Sequence, residues 1–100
     1  MRLLFLGDVM GRSGRDAVSE RLPGLIERFG FDFVVVNGEN ASHGRGLTEG
    51  HFNDIRAAGA NVVTLGDHAF DQRDTQSYIA REPTLLRPIN MAEGTPGRGA

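Results

Sequence analysis

Three short segments of this sequence combine glycine with groups that bind cations: Gly7-Asp8, Asn37-Gly38-Glu39-Asn40 and Gly66-Asp67-His68. Each directly follows an apolar run. Carboxylates gathered at one place repel one another unless a cation neutralises them. Oxygen donors joined by an imidazole suit Mn, Fe, Mg or Zn better than a soft metal. Two such ions about 3.5–4 Å apart, bridged by one carboxylate, clamp a phosphoryl group and activate a water as nucleophile. Glu39, from the middle of the three segments, is the natural bridge.

Taken singly, each group has a structural use. An aspartate after a strand turns the chain or caps the next helix, as Asp8 would, and Asn37-Gly38 and Gly66-Asp67 are ordinary turn dipeptides. The recurrence of acid, acid-amide and acid-imidazole at three strand ends favours a site. Other chemistries fit less well. Gly7, Gly11 and Gly14 suggest a dinucleotide loop, yet the G-x-G pair is missing and Asp8 stands where pyrophosphate needs backbone amides. A phosphoaspartate hydrolase usually carries a second aspartate where Met10 stands. No G-x-S-x-G elbow and no H-E-x-x-H pair occurs. His43, in a loop, and His51, on a helix, read as surface residues.

Strands must position these groups. Leu3–Leu6, Phe31–Val36 and Val62–Leu65 are apolar, rich in β-branched or aromatic residues, and evenly spaced at one βα unit. Near-continuous apolar strands predict a sheet covered on both faces. In an open parallel sheet, ligands bind at the carboxyl ends of the strands. Asp8, Glu39, Asn40, Asp67 and His68 would therefore meet in one crevice. Val18, Leu22, Leu25, Ile26 and Phe29 follow one helix face. Ser13 is the expected cap of that helix, Gly30 its stop, and Pro23-Gly24 predicts a kink or two short pieces. A second helix starts at the Thr48 cap, buries Phe52, Ile55 and Ala58, and stops at Gly59. A third, capped by Asp71 or a neighbour, buries Tyr78 and Ile79 before Pro83. Leu85–Ile89 is a short fourth strand, placed at an edge or at its own end by Pro88. The tail from Glu93 to Ala100 is loop chemistry with no following element. The expectation is one α/β domain over residues 1–100, mostly parallel βαβαβ units. Ending inside a glycine-rich loop, it reads as truncated, with an edge and one face needing cover.

Composition narrows the classes further. The 100 residues are 39% hydrophobic and 24% charged, an ordinary globular mixture. Cysteine is absent, which removes disulfides, thiolate metal sites and thiol nucleophiles. Lysine is absent too, so a Walker-type phosphate loop and Schiff-base chemistry are excluded. A net charge of −2 with dispersed arginines shows no nucleic-acid-binding face. No apolar run is long enough for a membrane span or a secretory signal, so a soluble cytoplasmic protein is expected.

The segments occur in a recognisable order. Gly7-Asp8-Val9-Met10-Gly11 is followed by Asn37-Gly38-Glu39-Asn40-Ala41, Gly44-x-Gly46-Leu47-Thr48 and Gly66-Asp67-His68-Ala69-Phe70-Asp71. Arg87-Pro88-Ile89-Asn90 and Gly94-Thr95-Pro96-Gly97-x-Gly99 come last. Over essentially its whole length, the sequence resembles the N-terminal part of the YmdB-like branch of the calcineurin-like metallophosphoesterases. The resemblance implies the N-terminal half of an α/β/β/α sandwich and a dinuclear centre of divalent or trivalent ions, Fe or Mn first, Mg or Zn otherwise. It implies hydrolysis of phosphodiesters such as 2′,3′-cyclic nucleotides. Asp8, Glu39, Asn40 and Asp67 would hold metal, Glu39 as the bridge, and His68 would protonate the leaving oxygen, as imidazole can near neutral pH. Asp67 stands where the superfamily commonly has asparagine, and its extra charge should lower the Lewis acidity of its metal. The family's later metal-binding histidines have no counterpart among His43, His51 and His68. The alternative is therefore a catalytically incomplete fragment, or a regulatory remnant binding metal or nucleotide. An RNA partner is not readable here, and an exposed sheet edge admits a homo-oligomer.

Overall fold

The computed structural model describes all residues from Met1 to Ala100. Strands and helices alternate: β1 Leu3–Leu6, α1 Gly11–Phe29, β2 Phe33–Asn37, α2 Glu49–Ala58, β3 Val62–Thr64, α3 Thr75–Ile79 and β4 Leu85–Leu86. The four strands are all parallel and lie in the order β1-β2-β3-β4, so neighbours in sequence are neighbours in space. Crossovers between parallel strands are right-handed. With no reversal of strand order, every crossover helix is sent to the same face.

The strands show that face directly. Val34, Val36 and Val63 are at most 1% exposed and pack with Val18 and Leu22 of α1, Phe52 and Ile55 of α2, and Tyr78 and Ile79 of α3. Register places Leu3 beside Phe33, so these two share the opposite face with Phe5. There Leu3 and Phe5 are each 60% exposed and Phe33 37%. The sheet is covered on one face, not on both as the apolar runs predict. The apolar runs are written for two covered faces, and these 100 residues supply the helices for one.

α1 differs from expectation in two ways. It begins at Gly11, before Ser13, and Met10 ahead of it makes no side-chain cap. The Gly11 N–H is taken up instead by the Asn40 carbonyl at 2.9 Å, so the first turn is anchored by the neighbouring loop. It also runs uninterrupted through Pro23 for 19 residues. Gly24 faces solvent beside Pro23, while Leu22 is buried and Leu25 and Ile26 are half-buried. Packing of that face outweighs one lost backbone bond. Phe29 lies 40% exposed, with the Arg28 guanidinium 5.2 Å from its ring centre.

Thr48 caps α2 as expected, its side chain accepting from the His51 N–H. Phe52, Ile55 and Ala58 are buried, and Gly59 ends the helix. α3 is shorter than expected and starts after Asp74, not Asp71. Tyr78 and Ile79 are buried; the Tyr78 hydroxyl and the Thr75 hydroxyl both donate to the Leu47 carbonyl, tying α3 to the loop before α2. Burial, with Asp74 nearby, pushes the Tyr78 phenol up, so it remains a donor. β2 and β4 are also shifted or shortened: Phe31 precedes its strand, and Pro88 and Ile89 lie beyond theirs. The tail is not wholly free of structure, because Arg98 forms an isolated parallel bridge with Leu86.

The single-sided core gives a direct test. Leu22→Ala should cost about 3 kcal/mol in urea unfolding. Phe5→Thr, on the open face, should cost less than about 1 kcal/mol. Equal losses would mean that the open face is buried in solution.

Candidate metal centre

The strand ends lie along one rim. Because strand order never reverses, there is no switch point, and the rim is not the deep crevice expected from the sequence. Its loops are stitched together by backbone. Val9 N–H donates to the Asn37 carbonyl at 3.1 Å, and Gly38 N–H to the Thr64 carbonyl at 2.9 Å. The loop after β1 is thus held to the end of β2, and the end of β2 to the end of β3.

Two groupings result. Asn40 Nδ2 donates to Asp8 Oδ1 at 2.7 Å. Asp8 takes a left-handed backbone (φ 46), which aspartate tolerates better than most residues. The Glu39 carboxylate lies against the Gly66 backbone, where a Cβ on Gly66 would collide with it. Asp67 follows Gly66 directly. Hydrogen bonding with Glu39, and then the adjacent His68 ring, hold the Asp67 carboxyl below its ordinary range. A longer contact from Asn37 Nδ2, 3.4 Å, also meets Glu39.

Of the five groups expected to meet, Asp8 and Asn40 form one grouping and Glu39, Asp67 and His68 the other. No three His, Asp or Glu side chains converge tightly enough to enclose a metal. The donor chemistry fits a hard cation: these are oxygen ligands, and the arginine ion pairs, Arg12–Asp16 and Arg81–Glu49, lie elsewhere. The donor count stops short of a closed coordination shell.

Asp71 escapes the sequence reading. Expected as a helix cap, it accepts from His68 Nδ1 at 2.7 Å within a turn closed by Asp71 N–H to the His68 carbonyl. The i, i+3 spacing is the available signal. The other nitrogen, Nε2, is 3.9 Å from Asp67 Oδ2, beyond hydrogen-bond range.

His51 is not a plain surface residue either. Its Nδ1 lies 2.6 Å from Oγ of the fully buried Ser42, and that hydroxyl accepts from Thr48 N–H at 2.8 Å. The Ser42 hydroxyl also reaches Thr48 Oγ1 at 3.3 Å, so it joins the His51 ring to the cap of α2. Burial, then the Arg15 charge, lower the His51 pKa, against a raising effect from Asp54 and with a further lowering from His43. Arg15 Nη1 also donates to the Ala41 carbonyl at 2.6 Å, and Gln72 Nε2 to the Arg45 carbonyl at 2.7 Å. The loop after Asn40 is therefore fastened from α1, from α2 and from the segment after β3.

The His51 shift sets a pH dependence. The folded ring resists a proton that the unfolded chain binds near its ordinary value of 6.5. Stability is unaffected above that value and falls as pH drops below it. Between about pH 7.5 and 5.5, Tm should fall further for the parent than for His51→Asn. Equal falls in the two melting series would refute a folded His51 that resists protonation.

Comparison with known proteins agrees with this architecture. The chain is 46% identical over 99 residues to a Bacillus subtilis (strain 168) 2′,3′-cyclic-nucleotide 2′-phosphodiesterase, covering 99% of this chain and 38% of the relative. A crystal structure of a hypothetical protein from Thermus thermophilus superposes with a TM-score of 0.91 at 41% identity, covering 99% of this chain and 38% of that one. A novel phosphatase from Mycoplasma pneumoniae superposes with a TM-score of 0.86 at 35% identity, over 95% of this chain and 35% of its own. The chain thus spans less than two fifths of the length of these relatives, whose named members are enzymes of phosphate ester chemistry. Residues 4–100 match the family model described as YmdB-like protein, and with that match along nearly its whole length the chain belongs to the YmdB-like family.

Proposed function

We propose that these residues form the N-terminal part of a metal-dependent phosphodiesterase acting on 2′,3′-cyclic nucleotides or related small phosphodiesters. The observation that carries this reading is the Asp8–Asn40 pair and the Glu39 carboxylate packed against Gly66, on a rim where no arginine ion pair neutralises the carboxylates. The name of the Bacillus subtilis relative supports the substrate class.

Asp8, Glu39, Asn40 and Asp67 would hold two ions, Fe or Mn first, with Mg or Zn as alternatives. When bound, such ions supply Lewis-acid activation of the phosphoryl group and of the attacking water. The protein groups have separate tasks. Asn40 fixes the Asp8 carboxylate through its 2.7 Å bond, leaving the second Asp8 oxygen free. Gly66 leaves room for the Glu39 carboxylate between the second and third loops. Asp67, held below the ordinary carboxylate range, keeps its negative charge into mildly acidic solution. His68 hands a proton from Nε2 to the leaving oxygen.

The absence of a closed set of three ligands supports a second reading for the chain taken alone: a catalytically incomplete piece with weak metal uptake. One assay separates the two. The 100-residue chain and the complete reading frame that carries it are each given a 2′,3′-cyclic nucleotide with Mn²⁺, with Fe²⁺ or with chelator. Metal-dependent turnover is expected from the complete frame, with a loss on the order of 100-fold or more for Asp8→Ala. Turnover that survives chelator and Asp8→Ala would sink the proposal. In the same protein, Asp67→Asn should raise turnover by relieving the metal of a negative ligand; a lower rate would count against that role for the charge.

A further inference from the structure

The residues just after Asn40 gather basic side chains from two helices. Arg15 of α1 donates from Nη1 to the Ala41 carbonyl at 2.6 Å. His51 of α2 places Nδ1 2.6 Å from Oγ of Ser42, the next residue. His43 follows, its ring edge-on to that of His51 with the centres 6.2 Å apart. Its left-handed backbone (φ 56) leads into Gly44, which lies beside Met10 and Gly11 at the start of α1. Three consecutive loop residues thus bring one guanidinium and two imidazoles together, Arg15 and His51 half-buried and His43 exposed. None of the three is in an ion pair; those pairs are Arg12–Asp16, Arg81–Glu49 and His68 with Asp67 and Asp71. The carboxylate whose charge reaches His51 is Asp54, and it does not overcome burial, Arg15 and His43. Donors are left over, because Arg15 bonds through Nη1 alone and His51 through Nδ1 alone. Two imidazoles by themselves would suit a transition metal. A guanidinium among them repels a cation and suits phosphate, whose oxygens it meets as a fork.

We propose that Arg15, His43 and His51 form a phosphate subsite beside the candidate metal centre, which takes the 5′-phosphate of a nucleotide whose 2′,3′-cyclic ester lies at the metals. This rests on the phosphodiesterase reading and names its substrate class, a mononucleotide phosphorylated on both sides of the ribose. The spacing suits that role. One ribose separates the two phosphates, and one peptide unit separates the Ala41 carbonyl that holds Arg15 from Asn40, which bonds Asp8 on the rim. The other arginines are dispersed along the sequence and supply no track for a longer polyanion, which favours a mononucleotide over the end of an RNA chain.

Two measurements test this. The first needs neither metal nor turnover: ¹H NMR titration of the His43 and His51 rings in the 100-residue chain, with and without inorganic phosphate. Phosphate should raise both titration midpoints, since its charge compensates the protons that the cluster otherwise repels. Arg15→Gln should remove most of that rise. No rise, or a rise that survives Arg15→Gln, would overturn the subsite. The second uses the complete reading frame with Mn²⁺ and compares kcat/KM for adenosine 2′,3′-cyclic phosphate with and without a 5′-phosphate. The parent should prefer the 5′-phosphorylated substrate by about 10-fold or more, and Arg15→Gln should bring the ratio to within about threefold of one. His43→Asn should do the same at an exposed position where asparagine accepts the left-handed backbone. General damage to the enzyme leaves such a ratio unmoved, so a parent ratio of one, or a ratio unchanged in both variants, would refute the inference. A dinucleotide ending in a 2′,3′-cyclic phosphate is the third substrate. If it is preferred to the 5′-phosphorylated mononucleotide, the mononucleotide assignment falls and an RNA end takes its place. A parent inactive on all three would instead refute the phosphodiesterase reading, while the NMR titration still decides whether the cluster binds phosphate.

Discussion

The structure depends on one topological constraint: parallel strands laid down in sequence order and joined by right-handed crossovers. That rule leaves no freedom about where the helices go, and all three share a face. It also settles where the polar residues go, because every strand points the same way and every following loop opens on the same rim. The hydrophobic core under the helices and the acidic rim are therefore consequences of a single arrangement. Val34 and Val36 anchor β2 from within, and Glu39 and Asn40 stand just beyond its end.

On the rim, local forces take over from topology. Carboxylates do not collect unaided, and the chain manages them by pairing. An amide restrains Asp8, the Glu39 carboxylate is laid against the Gly66 backbone, and an imidazole borders Asp67. Behind them the loop after Asn40 is built of buried small residues, Ala41, Ser42 and Gly46, and is bound to three elements. Donors carried on a stiff loop lose little conformational freedom when a ligand arrives, which is how a site is prepared in advance.

Much of this is legible in the residues. Thr48, Phe52, Ile55 and Gly59 give a cap, a periodic face and a stop within one short span, so α2 appears where it is expected. Local signals fail where a distant contact outweighs them. Pro23 does not divide α1, because Leu22 beside it is packed into the core. Ser13 is not its cap, because the Asn40 carbonyl satisfies Gly11 across the rim. His51 reads as a solvent residue because no periodicity reveals a serine folded over it from another loop. Asp71 reads as a cap because an aspartate shortly before a helix has that look whether or not it finds a histidine first. The open sheet face is hidden for a different reason: Leu3, Phe5 and Phe33 are apolar residues with nothing here to cover them.

Asp8 is one of two non-glycine residues with positive φ, His43 being the other. Under the proposed function its position carries two demands at once, a carboxylate for metal chemistry and a backbone shape that most side chains resist at a cost of about 1–2 kcal/mol. Asparagine and glycine meet the second demand and fail or weaken the first, while glutamate keeps the charge and loses the shape. Of the common substitutions, then, none satisfies both demands, and a replacement by asparagine or glycine would give up the charge while keeping the turn.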